Sequence, residues 1–126
     1  MNQELFDKGL KVRREVLGAE YVDKSIASAD DFNRPMQELV TEYCWGEVWT
    51  QPELPRRTRS LINIAMISAL NRPHELTLHV RGALRNGCTK EEIRAVLLQV
   101  AIYCGVPAAI DGFRTAAAVL KEEAPQ

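Results

Sequence analysis

Between Thr58 and Asn71 the chain carries Leu61, Ile62, Ile64, Ala65, Met66, Ile67, Ala69 and Leu70, a spacing that leaves almost no face of a helix polar. A helix apolar on nearly all sides must be wrapped by other elements or covered by another subunit. Thr58 is the expected N-cap, and Asn71-Arg72-Pro73 ends the segment because a proline ring cannot continue a helix. The sequence that follows supplies candidates for the wrapping. A helix is predicted from His74 to Asn86, closed by Asn86-Gly87, a pair suited to a left-handed helix end. Thr89-Lys90-Glu91-Glu92 is a capping box, in which the Thr89 hydroxyl and the Glu92 carboxylate each satisfy an orphan backbone N–H. Ile93, Val96, Leu97, Val100, Ala101 and Cys104 then recur at helical spacing up to Gly105. Pro107 suits the first turn of a last helix, Ala108 to Glu122.

The first half has more polar interruptions. Gln3 to Leu17 reads as a helix stopped by Gly18, and Tyr21 to Ala27 as a short second one. Asp30 and Asp31 supply capping carboxylates for a third segment, whose apolar positions are Met36, Leu39, Val40 and Cys44. Gly46 and the two prolines of Trp49-Thr50-Gln51-Pro52-Glu53-Leu54-Pro55 are expected to break it into a loop. No alternating β pattern is found. The expected class is therefore all-α, with about six to seven helices joined by short links. A length of 126 residues fits a single domain, residues 1–126. A chain this small has few helices with which to hide an all-apolar one, so an oligomer is expected.

Charge narrows the function. Sixteen basic against 17 acidic residues give a net charge of -1, which argues against a nucleic-acid protein, whose affinity comes from neutralising phosphates. The opening Met1-Asn2-Gln3-Glu4 lacks the basic and apolar regions of a secretory leader. No apolar run is long enough to span a bilayer. Cys44, Cys88 and Cys104 are widely spaced, without a CxxC pair or metal-ligand spacing. They read as reduced thiols of a cytoplasmic protein.

Few side chains offer chemistry. Glu75 lies one helical turn before His79, at the edge of the stripe formed by Leu76, Val80 and Ala83. A carboxylate there can fix the imidazole tautomer and favour its charged form, or be an ordinary surface partner. Arg56, Arg57 and Arg59 crowd the start of the apolar helix, where positive charge adds to the helix dipole. Two readings are open: they pair with nearby carboxylates, or they hold an anion at the helix N-terminus. Trp45, Trp49 and Tyr103 are either core or pocket walls. Ser-His-Asp, P-loop and dinucleotide patterns are absent.

Taken together, these strings resemble a known family. Trp45-Gly46-Glu47-Val48-Trp49-Thr50 and Arg56-Arg57-Thr58-Arg59-Ser60-Leu61 look like the front signature of 4-carboxymuconolactone decarboxylases. So do Glu75-Leu76-Thr77-Leu78-His79-Val80-Arg81-Gly82-Ala83, then Asn86-Gly87 with Thr89 to Ile93, and Ala101 to Ala109. The likeness covers nearly the whole chain, including Asp31-Phe32-Asn33. It implies an alkylhydroperoxidase-D-like helical fold assembled as a homo-oligomer, usually a hexamer. It implies a carboxy-lyase of protocatechuate breakdown by the β-ketoadipate route, converting dianionic 4-carboxymuconolactone to β-ketoadipate enol-lactone and carbon dioxide without metal or organic cofactor. Peroxidases of the wider superfamily use a CxxC pair with a downstream histidine. Here the comparable turn reads Arg72-Pro73-His74-Glu75-Leu76, so both thiols are missing and dithiol peroxidase chemistry is not available; an alkylhydroperoxidase-like antioxidant protein is the rival expectation.

Under this resemblance the roles follow from the substrate. Electrons left by carbon dioxide flow through the lactone double bond to its carbonyl, so the enzyme must stabilise an oxyanion and deliver a proton. His79 supported by Glu75 is the expected general acid or oxyanion donor, with Glu47 a second candidate acid. Arg57 and Arg59 are expected to bind the carboxylates, and Trp45, Trp49 and Tyr103 to exclude water.

Overall fold

The computed structural model describes residues 1–123. Those residues are helical, without a β-strand among them, in the order α1 (Gln3–Leu17), α2 (Ala19–Ala27), α3 (Arg34–Leu39), a π-helical segment (Val40–Val48), α4 (Arg56–Leu70), α5 (Pro73–Arg85), α6 (Lys90–Cys104) and α7 (Val106–Glu123). They fall into two compact units that divide after Pro55.

The N-terminal unit is organised by the packing of α1 against the π-helical segment. Asn2 caps α1 by accepting from the Leu5 N–H at 3.1 Å, and Gly18 ends it, as the sequence predicts. Gly46 does not break the third helix. Winding continues through it to Val48 with wider turns, and the Trp49 N–H reaches back five residues to the Cys44 carbonyl at 2.9 Å. The reason is close packing. A Cβ at Gly9 would stand 1.8 Å from the Thr41 carbonyl oxygen, and one at Gly46 would stand 2.6 Å from the Leu5 carbonyl oxygen. Glycine lets the two backbones touch. Arg13 is buried between them and donates to Gln37 Oε1 at 2.9 Å and Thr41 Oγ1 at 3.1 Å. Burial lowers the pKa of its guanidinium. Met36 and Leu39, expected on a buried stripe, are instead exposed, along with Phe32 and Tyr43.

The C-terminal unit wraps the apolar helix. α4 packs against α5, α6 and α7. Ile64 joins Leu76, Val80, Ala83, Ile93, Leu97, Ala116 and Val119 in one core. Full burial of each large aliphatic side chain stabilises the fold by about 1.5–3 kcal/mol. The wrap leaves one stripe of α4 uncovered: Ile62, Met66 and Leu70 are exposed. The helix begins at Arg56, directly after Pro55, so Thr58 lies inside the first turn and is not its N-cap. α5 starts one residue early because Pro73 fits a first turn, where no N–H is needed, and α7 starts at Val106 with Pro107 in the same role. The capping box at Thr89 and Glu92 forms as predicted. Gly87, at φ 88°, closes α5 and lets the Cys88 N–H reach the Ala83 carbonyl at 2.9 Å.

Gly9→Ala is expected to destabilise the N-terminal unit by about 3 kcal/mol or more, because the carbonyl it meets cannot turn aside as a side chain would. Urea unfolding of the variant would measure this. A midpoint unchanged from the parent would show that α1 and the π-helical segment do not pack so closely.

Candidate functional site

His79 occupies the second turn of α5, with the buried Leu76 and Val80 on either side in sequence spacing. Those residues anchor α5 to α4, and the anchoring brings the imidazole to Asn63, whose Nδ2 lies 3.4 Å from His79 Nδ1. His79 is half-buried. Burial lowers its pKa, and the carboxylate of Glu75 one turn away partly opposes that. The balance favours a neutral ring. Glu75 itself is exposed. Arg59 lies one turn before Asn63 on α4, on the same side of that helix.

Asn63 was not singled out by sequence reasoning. The signal was present as a polar residue within an otherwise apolar run, Leu61-Ile62-Asn63-Ile64-Ala65-Met66. Ser60 gave a similar signal. It is fully buried, and its Oγ accepts from Asn86 Nδ2 at 2.9 Å. The polar positions of α4 thus serve to reach α5 and its C-terminal turn.

The arginine cluster divides. Arg57 forms an ion pair with Glu92 and donates to the Gly87 carbonyl at 3.3 Å. The carboxylate that closes the capping box of α6 therefore also offsets positive charge in the first turn of α4. Its pKa is lowered by the Thr89 backbone N–H and then by Arg57. Arg81 faces away and pairs with Glu122 at 2.9 Å. From Arg56 onward the sequence holds ten basic and six acidic residues, a net charge of +4, whereas residues 1–55 hold six basic and eleven acidic, -5. The unit that carries His79 is therefore the one with an excess of positive charge.

The remaining candidates lie elsewhere. Tyr103 is 81% exposed at the end of α6. It borders an apolar groove of about 330 Å³ between α4 and α6, with Leu61, Ile62, Ala65, Val96 and Val100. Trp45 and Trp49 are buried in the N-terminal unit, their rings 4.7 Å apart and inclined by 31°. Glu47 is exposed on the same segment. Cys44, Cys88 and Cys104 are free thiols. Among the described residues no three His, Cys, Asp or Glu side chains converge as a metal-ligand set. No helix among them is long and apolar enough to cross a membrane.

A histidine whose folded pKa lies below its unfolded value binds fewer protons in the native state, so acid favours unfolding. Stability is expected to fall as pH drops below about 6.5, the ordinary histidine value, and on through the lower folded pKa. His79→Gln should flatten that part of the curve. Thermal melts of both proteins from neutral to mildly acidic pH would test it, and parallel curves would contradict the buried neutral ring.

Comparison with known proteins places this arrangement in context. Residues 34–118 match the carboxymuconolactone decarboxylase family. A nitrosuccinic acid decarboxylase of Metarhizium robertsii is 48% identical over 111 residues, covering 88% of this chain and 78% of the relative. A 4-carboxymuconolactone decarboxylase of Acinetobacter baylyi is 40% identical over 121 residues, covering 96% of this chain and 90% of the relative. Matches of this extent reach well beyond the helix pair around His79, and the chain belongs to the carboxymuconolactone decarboxylase family.

Proposed function

We propose that the protein is a carboxy-lyase acting on a dianionic acid of the 4-carboxymuconolactone type. The observation that carries this reading is the half-buried His79, with Asn63 on one side and Glu75 one turn away, in a unit of net positive charge. The family relationship supplies the reaction class.

The substrates named for the two relatives share a design. 4-Carboxymuconolactone and nitrosuccinic acid are both substituted succinates. In each, the carbon that loses carboxylate also bears a CH2–carboxylate arm and an electron sink. The sink is an unsaturated lactone carbonyl in one and a nitro group in the other. Breaking the carbon–carbon bond sends its electron pair to sink oxygens, as a dienolate or a nitronate. A proton then returns to carbon. The charge is carried by the substrate, so the protein has to grip the retained carboxylate, donate hydrogen bonds to the sink oxygen and keep water out.

His79 is the donor toward that oxygen. Arg59, on the Asn63 side of α4, grips the carboxylate that stays. Arg57, which pairs with Glu92 and ties α4 to α6, is the second arginine for the carboxylates. Glu75 supports the ring electrostatically from one turn away. Trp45 and Trp49 support the packing of the N-terminal unit, and Tyr103 belongs to the groove beside α6. The reading adds a cytoplasmic location and assembly into a homo-oligomer, with a hexamer favoured. Its support is the number of large apolar side chains left exposed: Ile62, Met66 and Leu70 on α4, and Leu98, Ile102, Val106 and Ile110 on α6 and α7.

The specific alternative is nitrosuccinate as preferred substrate, favoured by the 48% identity to the relative of that name. Purified protein offered each acid should release carbon dioxide from at least one, and the ratio of kcat/KM names the preference. His79→Ala should lower kcat by about a hundred- to ten-thousand-fold. Arg59→Ala should act mainly by raising KM. Assembled protein that leaves both acids intact would overturn the assignment.

A further inference from the structure

We propose that Asn63 is a positioning residue that sets the tautomer of His79, keeping the ring proton on Nε2 by donating from its side-chain amide to Nδ1. The proposal rests on the reading of His79 as the oxyanion donor for its consequence, but not for its test.

The geometry gives the argument. Asn63 Nδ2 lies 3.4 Å from His79 Nδ1, at the long end of hydrogen-bonding distance, as is common before a substrate tightens a site. An amide nitrogen can only donate, so Nδ1 must offer its lone pair and the single proton of a neutral ring must sit on Nε2. Asn63 is half-buried, flanked in sequence by Ile62 and the fully buried Ile64. A polar side chain at such a position costs stability unless its hydrogen bonds are made. Ser60, one turn earlier, meets Asn86 in the same way. Burial keeps the ring neutral, so the amide chooses between two neutral tautomers and does not have to displace a proton.

Glu75 lies one turn away on the same helix and Arg59 one turn from Asn63 on α4, while Arg81 faces away and pairs with Glu122 of α7. None of these fixes which nitrogen carries the proton as directly as a donor placed at Nδ1. The consequence is mechanistic. A ring held as Nε2–H presents a neutral donor to the oxygen that gathers charge, and it can do so without giving up its proton.

The test uses full-length, nitrogen-15-labelled protein at neutral pH and long-range proton–nitrogen correlation of the imidazoles. The chain has 2 histidines, so His74→Gln assigns His79. The parent should show an unprotonated Nδ1 and a protonated Nε2. Asn63→Asp replaces the donor with an acceptor. It should move the proton to Nδ1, raise the ring pKa and lower kcat roughly 10- to 100-fold with little change in KM. Asn63→Ala should give a mixture of tautomers and covers the case in which the aspartate variant does not fold. A parent ring protonated on Nδ1, or either folded variant keeping the pure Nε2–H form, overturns the proposal. If the parent shows Nε2–H, the variants shift as stated and neither acid is decarboxylated, the tautomer assignment stands and the decarboxylase reading fails.

Discussion

The enclosure of α4 by α5, α6 and α7 is the constraint on which the C-terminal unit depends. A helix with apolar side chains on nearly all sides turns Ile64 and its neighbours inward and leaves a stripe of Ile62, Met66 and Leu70 uncovered. Once three helices close on it, the few polar atoms it carries have to find partners within the wrap. Asn63 meets His79, and Ser60 meets Asn86. Ser68 is the exception: its buried hydroxyl has no hydrogen-bond partner among the described residues and sits against Gly112 of α7, where a Cβ would lie 3.0 Å from the oxygen. The chemical group is thus placed by the packing problem itself. The helix that most needs covering also carries the side chain that addresses the imidazole.

Charge is managed by the same economy of parts. The first turn of α4 concentrates guanidinium groups where the helix dipole already favours anions. Glu92 answers this from the first turn of α6 while also serving its own helix as the closing residue of a capping box. One carboxylate therefore settles two helix starts and fixes their separation. The unit that carries His79 keeps a net positive charge, while burial favours the neutral ring.

Much of this was legible in the sequence, and the reasons differ by element. Helices with strong local signals were read to within a few residues: α1 between Asn2 and Gly18, α6 between its capping box and Gly105. The nearness of Glu75 to His79 is expected from a four-residue spacing, and its charge is felt at the ring. What escaped was set by contacts distant in sequence. Gly46 reads as a stop until Leu5 is seen against it, at which point glycine becomes the condition for continuing the helix. Met36 and Leu39 have the spacing of a buried stripe yet are exposed, since spacing fixes which residues share a face and not what covers that face. Asn63 escaped because its partner is sixteen residues away on another helix. Arg57 could be assigned to a carboxylate or to a ligand only once Glu92 was seen beside it.

The paired indoles of Trp45 and Trp49 have a practical consequence. The chain contains 2 tryptophans, and both belong to the segment before Pro55. Intrinsic fluorescence excited at the indole band therefore watches only that half of the molecule, while far-ultraviolet circular dichroism sums the helices of both. Agreement between the two signals during denaturation would mean that the halves melt as one cooperative body. Separation of the curves would mean that the half bearing the imidazole can lose its structure while the tryptophan emission stays native.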